Sequence, residues 1–341
     1  LSYAPGVSFL TTSPSFSFPR FLQDLQSSKP LQISPGPAIM KFMEIKKPAA
    51  SCLDIRQPSS LMTPVVFSSP HSGRHYTRAF MDQSRLKAHV LRRSEDSFVD
   101  EIFAAAPDFG APLIRALFPR AYVDANREPF ELDPDMFADN LPDYVRTHSP
   151  RIAAGLGTIP KVVASGGAIY DRPLYFSEAR RRIDANHRPY HRALSQLLEN
   201  ARRQFGVSLL IDCHSMPSHR APGVSAKGLE NIDMVLGDCH GASCAPEVTR
   251  LAEKMLMEAG FQVVRNRPYA GGYITRRYGR PEEGHHALQI EINRALYMDE
   301  RLIERSPELP HLIRRITQLI KALSEIDPDI LKPDPRTLPK A

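Results

Sequence analysis

Cysteine is scarce in this 341-residue chain. The four present, Cys52, Cys213, Cys239 and Cys244, are irregularly spaced and make no C-x-x-C pair. That excludes a disulfide framework and a cysteine-based zinc knuckle, and a reducing cytoplasm is the expected location. Long apolar runs are also missing. No stretch approaches the ~18 residues of a membrane helix, so no membrane span is expected. No Lys/Arg-rich segment alternates with aromatics, so nucleic acid is not an expected partner. The net charge of +6 is mild and suits a small anionic substrate equally well. The glycine pairs Gly166-Gly167 and Gly271-Gly272 fit neither a P-loop nor a dinucleotide fingerprint, and G-x-S-x-G is absent, so a serine hydrolase elbow has no basis. His71/His75 and His187/His191 are four apart, but Gly73 or Pro189 intervenes and neither pair carries the Glu of H-E-x-x-H.

Hydrophobic residues at 42% and charged residues at 24% are globular values. Proline is abundant at 31, with nine before residue 65, among many serines. Residues 1–39 carry only Arg20, Asp24 and Lys29 as charged side chains and lack the apolar stretch of a signal peptide. The chain starts with Leu1, and Met40 follows this segment. We read it as an over-extended reading frame or a disordered lead. The expected organisation is a Pro/Ser-rich lead over 1–55, a single α/β domain over 56–326 and a Pro-rich tail over 327–341.

Short apolar runs bounded by turn residues predict strands near 65–69, 122–124, 207–213, 232–236, 261–264 and 288–292. Helical spacing predicts helices over 97–106, 190–205, 246–259 and most of 302–323. Ser177 is the expected cap of a further helix through Arg180–Arg182, read as a solvated face, with Pro189 interrupting before the next helix. Strands alternating with helices predict an α/β fold around a mixed, largely parallel central sheet flanked by helices.

In open α/β sheets, ligands gather beyond the carboxyl ends of strands. His71 follows the first predicted strand, Asn126 and Arg127 the second, and His214 the third, while Glu291 lies inside the last. Two imidazoles and a carboxylate with an open position form the ligand set of a hydrolytic zinc site, where the metal lowers the pKa of a bound water and polarises a carbonyl. A further carboxylate off the metal can take the water's proton, and Glu291 suits that task. Structural readings stand beside these. A histidine at a strand end also serves as a hydrogen-bonded scaffold residue, and Arg294 is near enough in sequence to pair with Glu291. His187 and His191 read as helix-surface or substrate-side residues, and His285-His286 as solvent-facing. A Cys213–His214 nucleophile is disfavoured, because adjacent strand residues point to opposite faces.

The motifs S-S-P-H-S-G at 68–73, E-D-S-F-V-D-E at 95–101, V-D-A-N-R at 123–127, I-D-C-H-S-M at 211–216, D-M-V-L-G-D at 233–238, P-Y-A-G-G-Y at 268–273 and L-Q-I-E-I-N-R-A-L-Y at 288–297 stand in this order. Together they resemble the N-formylglutamate amidohydrolase family over roughly residues 60–300. That family is similar in fold to zinc carboxypeptidases, succinylglutamate desuccinylase and aspartoacylase. The resemblance implies a zinc-carboxypeptidase-like fold and one zinc ion. It implies His71 as first metal ligand, His214 as last, Glu291 as catalytic base, and Asn126 with Arg127 as substrate clamp, Arg127 also as a catalytic group. Arg172, in Y-D-R-P, resembles another family motif and is a second candidate for an anionic side chain. One departure is Arg74, which stands where those relatives carry the ligand glutamate of H-x-x-E. Asp96 is the expected replacement ligand, with Glu95 as the alternative. The implied reaction is hydrolysis of a small anionic N-acyl amino acid, foremost N-formyl-L-glutamate to formate and glutamate, a late step in histidine degradation. Related N-acyl amino acids, a peptide terminus, or a non-catalytic binding role on the same fold are the alternatives.

Overall fold

In the computed structural model, which describes residues 51–163, 166–218 and 231–333, seven strands form one sheet. They are β1 (Leu53–Arg56), β2 (Val65–Ser69), β3 (Leu113–Ala116), β4 (Ser208–Met216), β5 (Met234–Gly237), β6 (Val263–Arg265) and β7 (His285–Asn293), in spatial order β1-β3-β2-β4-β7-β5-β6. β2 is parallel to both β3 and β4, β4 to β7, and β5 to β6. Within this sheet, among the described residues, β1–β3 and β5–β7 run antiparallel. The sheet is therefore mixed and largely parallel, as the alternating pattern led us to expect.

The two central strands, β4 and β7, are buried on both faces, which is why they read as nearly continuous apolar runs. On one face Val65, Phe67, Leu209, Ile211, Leu288 and Ile290 pack with residues of the Pro246–Glu258 and Leu309–Ser324 helices. On the other, Val66, Leu210 and Ala287 meet Leu194, Leu197, Leu198 and Ala201 of the Arg188–Phe205 helix. Among the described residues no helix is long and apolar enough to cross a membrane.

Several local expectations need correction. Residues 122–124 are not a strand. Pro119 opens a turn there, with Tyr122 and Val123 N–H both donating to the Pro119 carbonyl. The neighbouring strand is instead β3, a short buried segment without the period-two alternation that reveals a strand. The helix expected over 97–106 is cut into Val99–Ile102 and a tighter Ala106–Phe109 turn, after Phe98 takes a left-handed φ of 70°. Pro189 does not interrupt its helix. Wider turns over Ile183–His187 carry the chain from Phe176–Arg182 into Arg188–Phe205, so the proline's missing N–H falls within the first helical turn. Ser177 lies inside that first segment rather than capping it, and Tyr175 is the cap. The helix expected over 302–323 begins only at Leu309.

Most of the expected lead, residues 1–50, lies outside the described residues, as does 334–341 of the expected tail. Residues 53–55, counted with the lead, form edge strand β1 together with Arg56. Residues 328–331 turn back onto the domain. Leu331 is buried and its carbonyl accepts from His286 Nε2 at 2.8 Å, which makes His286 an interior residue rather than a solvent-facing one.

Candidate active site

The site grows from one face of β4 and β7. Their register pairs Leu210 with Ala287, then Asp212 with Gln289, then His214 with Glu291. The same face thus changes from apolar core to polar side chains toward the carboxyl end of the sheet, beyond the reach of the covering helix. His71 arrives beside it from the turn after β2, and its ring centroid is 4.9 Å from that of His214.

Both imidazoles point their Nδ1 atoms at one oxygen. Asp96 Oδ2 lies 3.3 Å from His71 Nδ1 and 3.1 Å from His214 Nδ1. The three residues are buried, and their donor atoms all lie within 4.8 Å of one another. Behind each ring stands another carboxylate. His71 Nε2 is 2.7 Å from Asp124 Oδ1, and His214 Nε2 is 3.0 Å from Asp212 Oδ2. Both Asp212 oxygens are buried without a hydrogen-bond partner among the described residues, so its contact with His214 is an ion pair out of hydrogen-bond alignment. Imidazole nitrogens facing a shared carboxylate, with carboxylates behind the rings, are the arrangement that metal-ligating histidines adopt. The site fits one divalent ion.

Electrostatics fit the same picture. Burial acts to raise the Asp96 carboxyl, but hydrogen bonds from His214 and His71 and the charges of His71 and Arg294 outweigh it and hold the carboxyl well below its usual range. Arg294 Nη2 donates to Asp96 Oδ1 at 2.9 Å, so this arginine serves Asp96 and not Glu291, correcting the pairing left open by the sequence. Burial opposes charge on His214, yet Asp212 and Asp96 more than compensate and raise its pKa well above the usual value. Glu291 accepts from Gln289 Nε2 at 3.0 Å, and burial pushes its carboxyl up to about 7. A carboxylate with that proton affinity exchanges protons near neutrality, as a general base must.

The turn that replaced the expected strand at 122–124 has a purpose here. Arg120 Nε donates to Asp124 Oδ2 at 3.0 Å, and the rest of its guanidinium has no protein acceptor among the described residues. Arg120 lines the cavity and its charge is felt by Glu291, Asp124 and Asp96. Sequence reasoning missed it. The available signal was a cation directly after Pro119, just upstream of V-D-A-N-R.

Asn126 and Arg127 follow, as expected, at the cavity wall. Asn126 Oδ1 accepts from Ile274 N–H at 2.8 Å, and its Nδ2 is 3.2 Å from His214 Nε2. Gly272 allows this fit, because a Cβ there would stand 2.2 Å from Asn126 Nδ2. Arg127 donates through Nε to Leu156 O at 2.9 Å and through Nη1 to Asn126 O at 2.8 Å, and burial brings its pKa down to about 10. The 125–127 turn is anchored from behind. His187 Nε2 donates to Arg127 O at 2.9 Å and His191 Nε2 to Ala125 O at 2.8 Å. These two histidines are buried supports of the 125–127 turn, not surface residues.

The sequence candidates His71, His214, Glu291, Asn126 and Arg127 all line one cavity of about 460 Å³, with Asp96 directly beneath. Glu95 turns away: it pairs with Arg92 and accepts from Tyr76 and Ser97 hydroxyls. Arg172 is exposed, donates to Pro173 O, and is not among the residues that line this cavity. Arg74 pairs with Asp100 and Glu101.

The N-formylglutamate amidohydrolase family model matches residues 63–298. The chain belongs to this family. A protein named N-formylglutamate deformylase from Pseudomonas putida is 33% identical over 240 residues, covering 70% of this chain and 82% of the relative. One of the same name from Pseudomonas aeruginosa is 31% identical over 241 residues, covering 70% and 83%. The crystal structure of an N-formylglutamate amidohydrolase from Ralstonia eutropha JMP134 superposes with a TM-score of 0.75 at 35% identity, covering 81% of this chain and 98% of that one. A protein from Agrobacterium tumefaciens shares the fold at 18% identity, with a TM-score of 0.58. Every element that carries the cavity's candidate residues, from His71 to Arg294, falls within the matched segment.

Proposed function

We propose that the protein hydrolyses the formyl amide of N-formyl-L-glutamate, releasing formate and L-glutamate, with one zinc ion held by His71, Asp96 and His214. The observation that carries this reading is the buried pair of imidazoles aimed at one carboxylate oxygen, with Glu291 opposite His214 in register, in a chain whose curated relatives are named N-formylglutamate deformylase. Two nitrogens and one oxygen, with no thiolate among them, suit zinc. When bound, the ion supplies Lewis-acid polarisation and a more acidic water.

The chain's own residues supply the rest. Glu291 takes a proton from the attacking water and later passes it to the leaving amine, so one carboxylate is base and then acid. Its elevated proton affinity keeps both transfers close to balance near neutral pH. Arg120 faces the negative charge that develops on the acyl oxygen, and its unpaired terminal nitrogens are donors for it. Arg127 and Asn126 hold the substrate's α-carboxylate at a turn fixed from behind by His187 and His191. Asp124 binds His71, Arg120 and the Asn126 N–H together, so it positions a metal ligand and two substrate contacts at once.

Formate release from N-formyl-L-glutamate by protein purified without chelator tests this reading. Stoichiometric formate and glutamate support it. Metal-replete, folded protein that releases no formate overturns it.

A further inference from the structure

Four arginines line the cavity: Arg120, Arg127, Arg151 and Arg294. Three are engaged in the machinery just described. Arg294 uses Nε on Ser215, Nη1 on Arg93 O and Nη2 on Asp96. Arg127 is held by Leu156 O and Asn126 O for the α-carboxylate, and Arg120 is tied through Nε to Asp124. Arg151 differs. It comes from the Pro150–Ala153 helical turn of the long excursion between β3 and β4, and its one ion-pair contact is a loose 3.9 Å approach to Glu131. Glu131 already accepts a short hydrogen bond from Ser149, which holds it where it is. The Arg151 guanidinium has no hydrogen bond to protein among the described residues, and its side chain lines the cavity and is 30% exposed.

A second cation stands near it. Arg276 is exposed and donates through Nη1 to Gly271 O at 2.9 Å, and Gly271 is itself part of the cavity wall. Burial first, and then the Arg276 charge, press the Arg151 guanidinium below its usual pKa. Glu131, at 3.9 Å, and Asp124 offset this only in part, and like charges that are incompletely balanced are relieved by an incoming anion.

We infer that Arg151, assisted by Arg276, is the specificity-determining position for the substrate's side-chain carboxylate, so that the cavity selects N-acylated acidic amino acids over their neutral analogues. This rests on the reaction proposed above. In that arrangement the α-carboxylate and the side-chain carboxylate are taken by arginines from different segments, Arg127 after β3 and Arg151 in the excursion. A guanidinium offers a carboxylate two parallel hydrogen bonds, which a neutral amide side chain cannot match.

The test compares kcat and KM for N-formyl-L-glutamate and its near-isostere N-formyl-L-glutamine. Wild type should prefer the glutamate compound. Arg151→Gln should lose about 10–100-fold in kcat/KM on it, the worth of a hydrogen bond to a charged group, mainly through KM. On N-formyl-L-glutamine the same variant should stay within about threefold of wild type, well inside a tenfold effect. Arg151→Lys should recover part of the loss. Arg276, being exposed, gives a second variant that retains the fold, and Arg276→Gln should show a smaller loss with the same selectivity. Equal losses on both substrates would mean that Arg151 only braces the excursion through Glu131, and the inference fails. Unchanged selectivity in both glutamine variants overturns it as well, while leaving the proposed reaction standing. No formate from either substrate with wild type removes the proposed reaction, and this inference with it.

Discussion

Replacing Glu291 by Gln separates the proposed base from the scaffold. The side chain is buried on β7, opposite His214, and its Oε1 accepts from Gln289. Glutamine keeps the shape and an acceptor oxygen. It removes a carboxyl that burial has lifted to about 7 from an ordinary value of 4.5. Two consequences follow with opposite signs. Turnover should fall by roughly 10²–10⁴-fold, the usual worth of general acid–base catalysis, or about 3–5 kcal/mol of barrier. Stability should move the other way. Between pH 4.5 and 7 the folded metal-free protein keeps a proton that the unfolded chain has lost, so stability falls as pH rises through that window and stays low above it. The full cost in wild type is on the order of 3 kcal/mol above pH 7. Metal-free Glu291→Gln should therefore melt higher than metal-free wild type at pH 8, and the difference should vanish near pH 4. Formate release and metal content are measured on the metal-replete variant, and thermal unfolding on the stripped one. Near-normal turnover, or loss of the metal, would show that Glu291 is not the base. A variant less stable than wild type at pH 8 would show that its burial is not the strain described here.

The ligand assignment predicts that His71→Ala and His214→Ala lose bound metal and activity together, read by elemental analysis and formate release. Asp96→Ala should do the same and also unfold more readily by about 3–5 kcal/mol, because it strands the buried Arg294 charge; denaturant titration measures this. If Asp96→Ala keeps its metal while Glu95→Ala loses it, the second ligand is Glu95. Arg127→Lys should cost more than tenfold in kcat/KM on N-formyl-L-glutamate, since lysine cannot reproduce the planar fork; a loss within about threefold contradicts the clamp. His187 carries a pKa lowered by burial to about 4. The unfolded chain gains that proton below pH 6.5 while the folded one resists until about 4, so stability should drop by about 3 kcal/mol across that interval. His187→Gln should flatten this acid limb in pH-dependent denaturant unfolding, and an unchanged limb refutes the assignment.

How much of this was legible in the sequence depends on which force shaped each element. β4 and β7 were legible because both their faces are buried, and His214 and Glu291, near their carboxyl ends, were legible because polar groups in such runs need a reason. β3 was not, since its four residues carry no periodic signal and the more polar Tyr122-Val123-Asp124 drew attention away. Arg120 was hidden for the same reason: its role depends on a Pro119 turn that folds it back onto Asp124. The tasks of His187 and His191 depend on a helix that accommodates Pro189 by widening upstream, and on carbonyls more than 55 residues away in sequence, at separations of 60 and 66. The choice of Arg294 for Asp96 over Glu291 is likewise tertiary, spanning 198 residues. Asp96 itself was reached only because the resemblance demanded a carboxylate that Arg74 could not supply.

The proposed reaction requires that the buried trio of His71, Asp96 and His214 hold one divalent ion on which amide hydrolysis depends. The most direct measurement is formate release from N-formyl-L-glutamate by one preparation before chelation, after it, and after zinc is added back, with bound metal counted at each stage. One ion per chain, loss of formate release with loss of the ion, and recovery of both together are expected. Stripped protein that is folded and still hydrolyses the substrate at the original rate would contradict it.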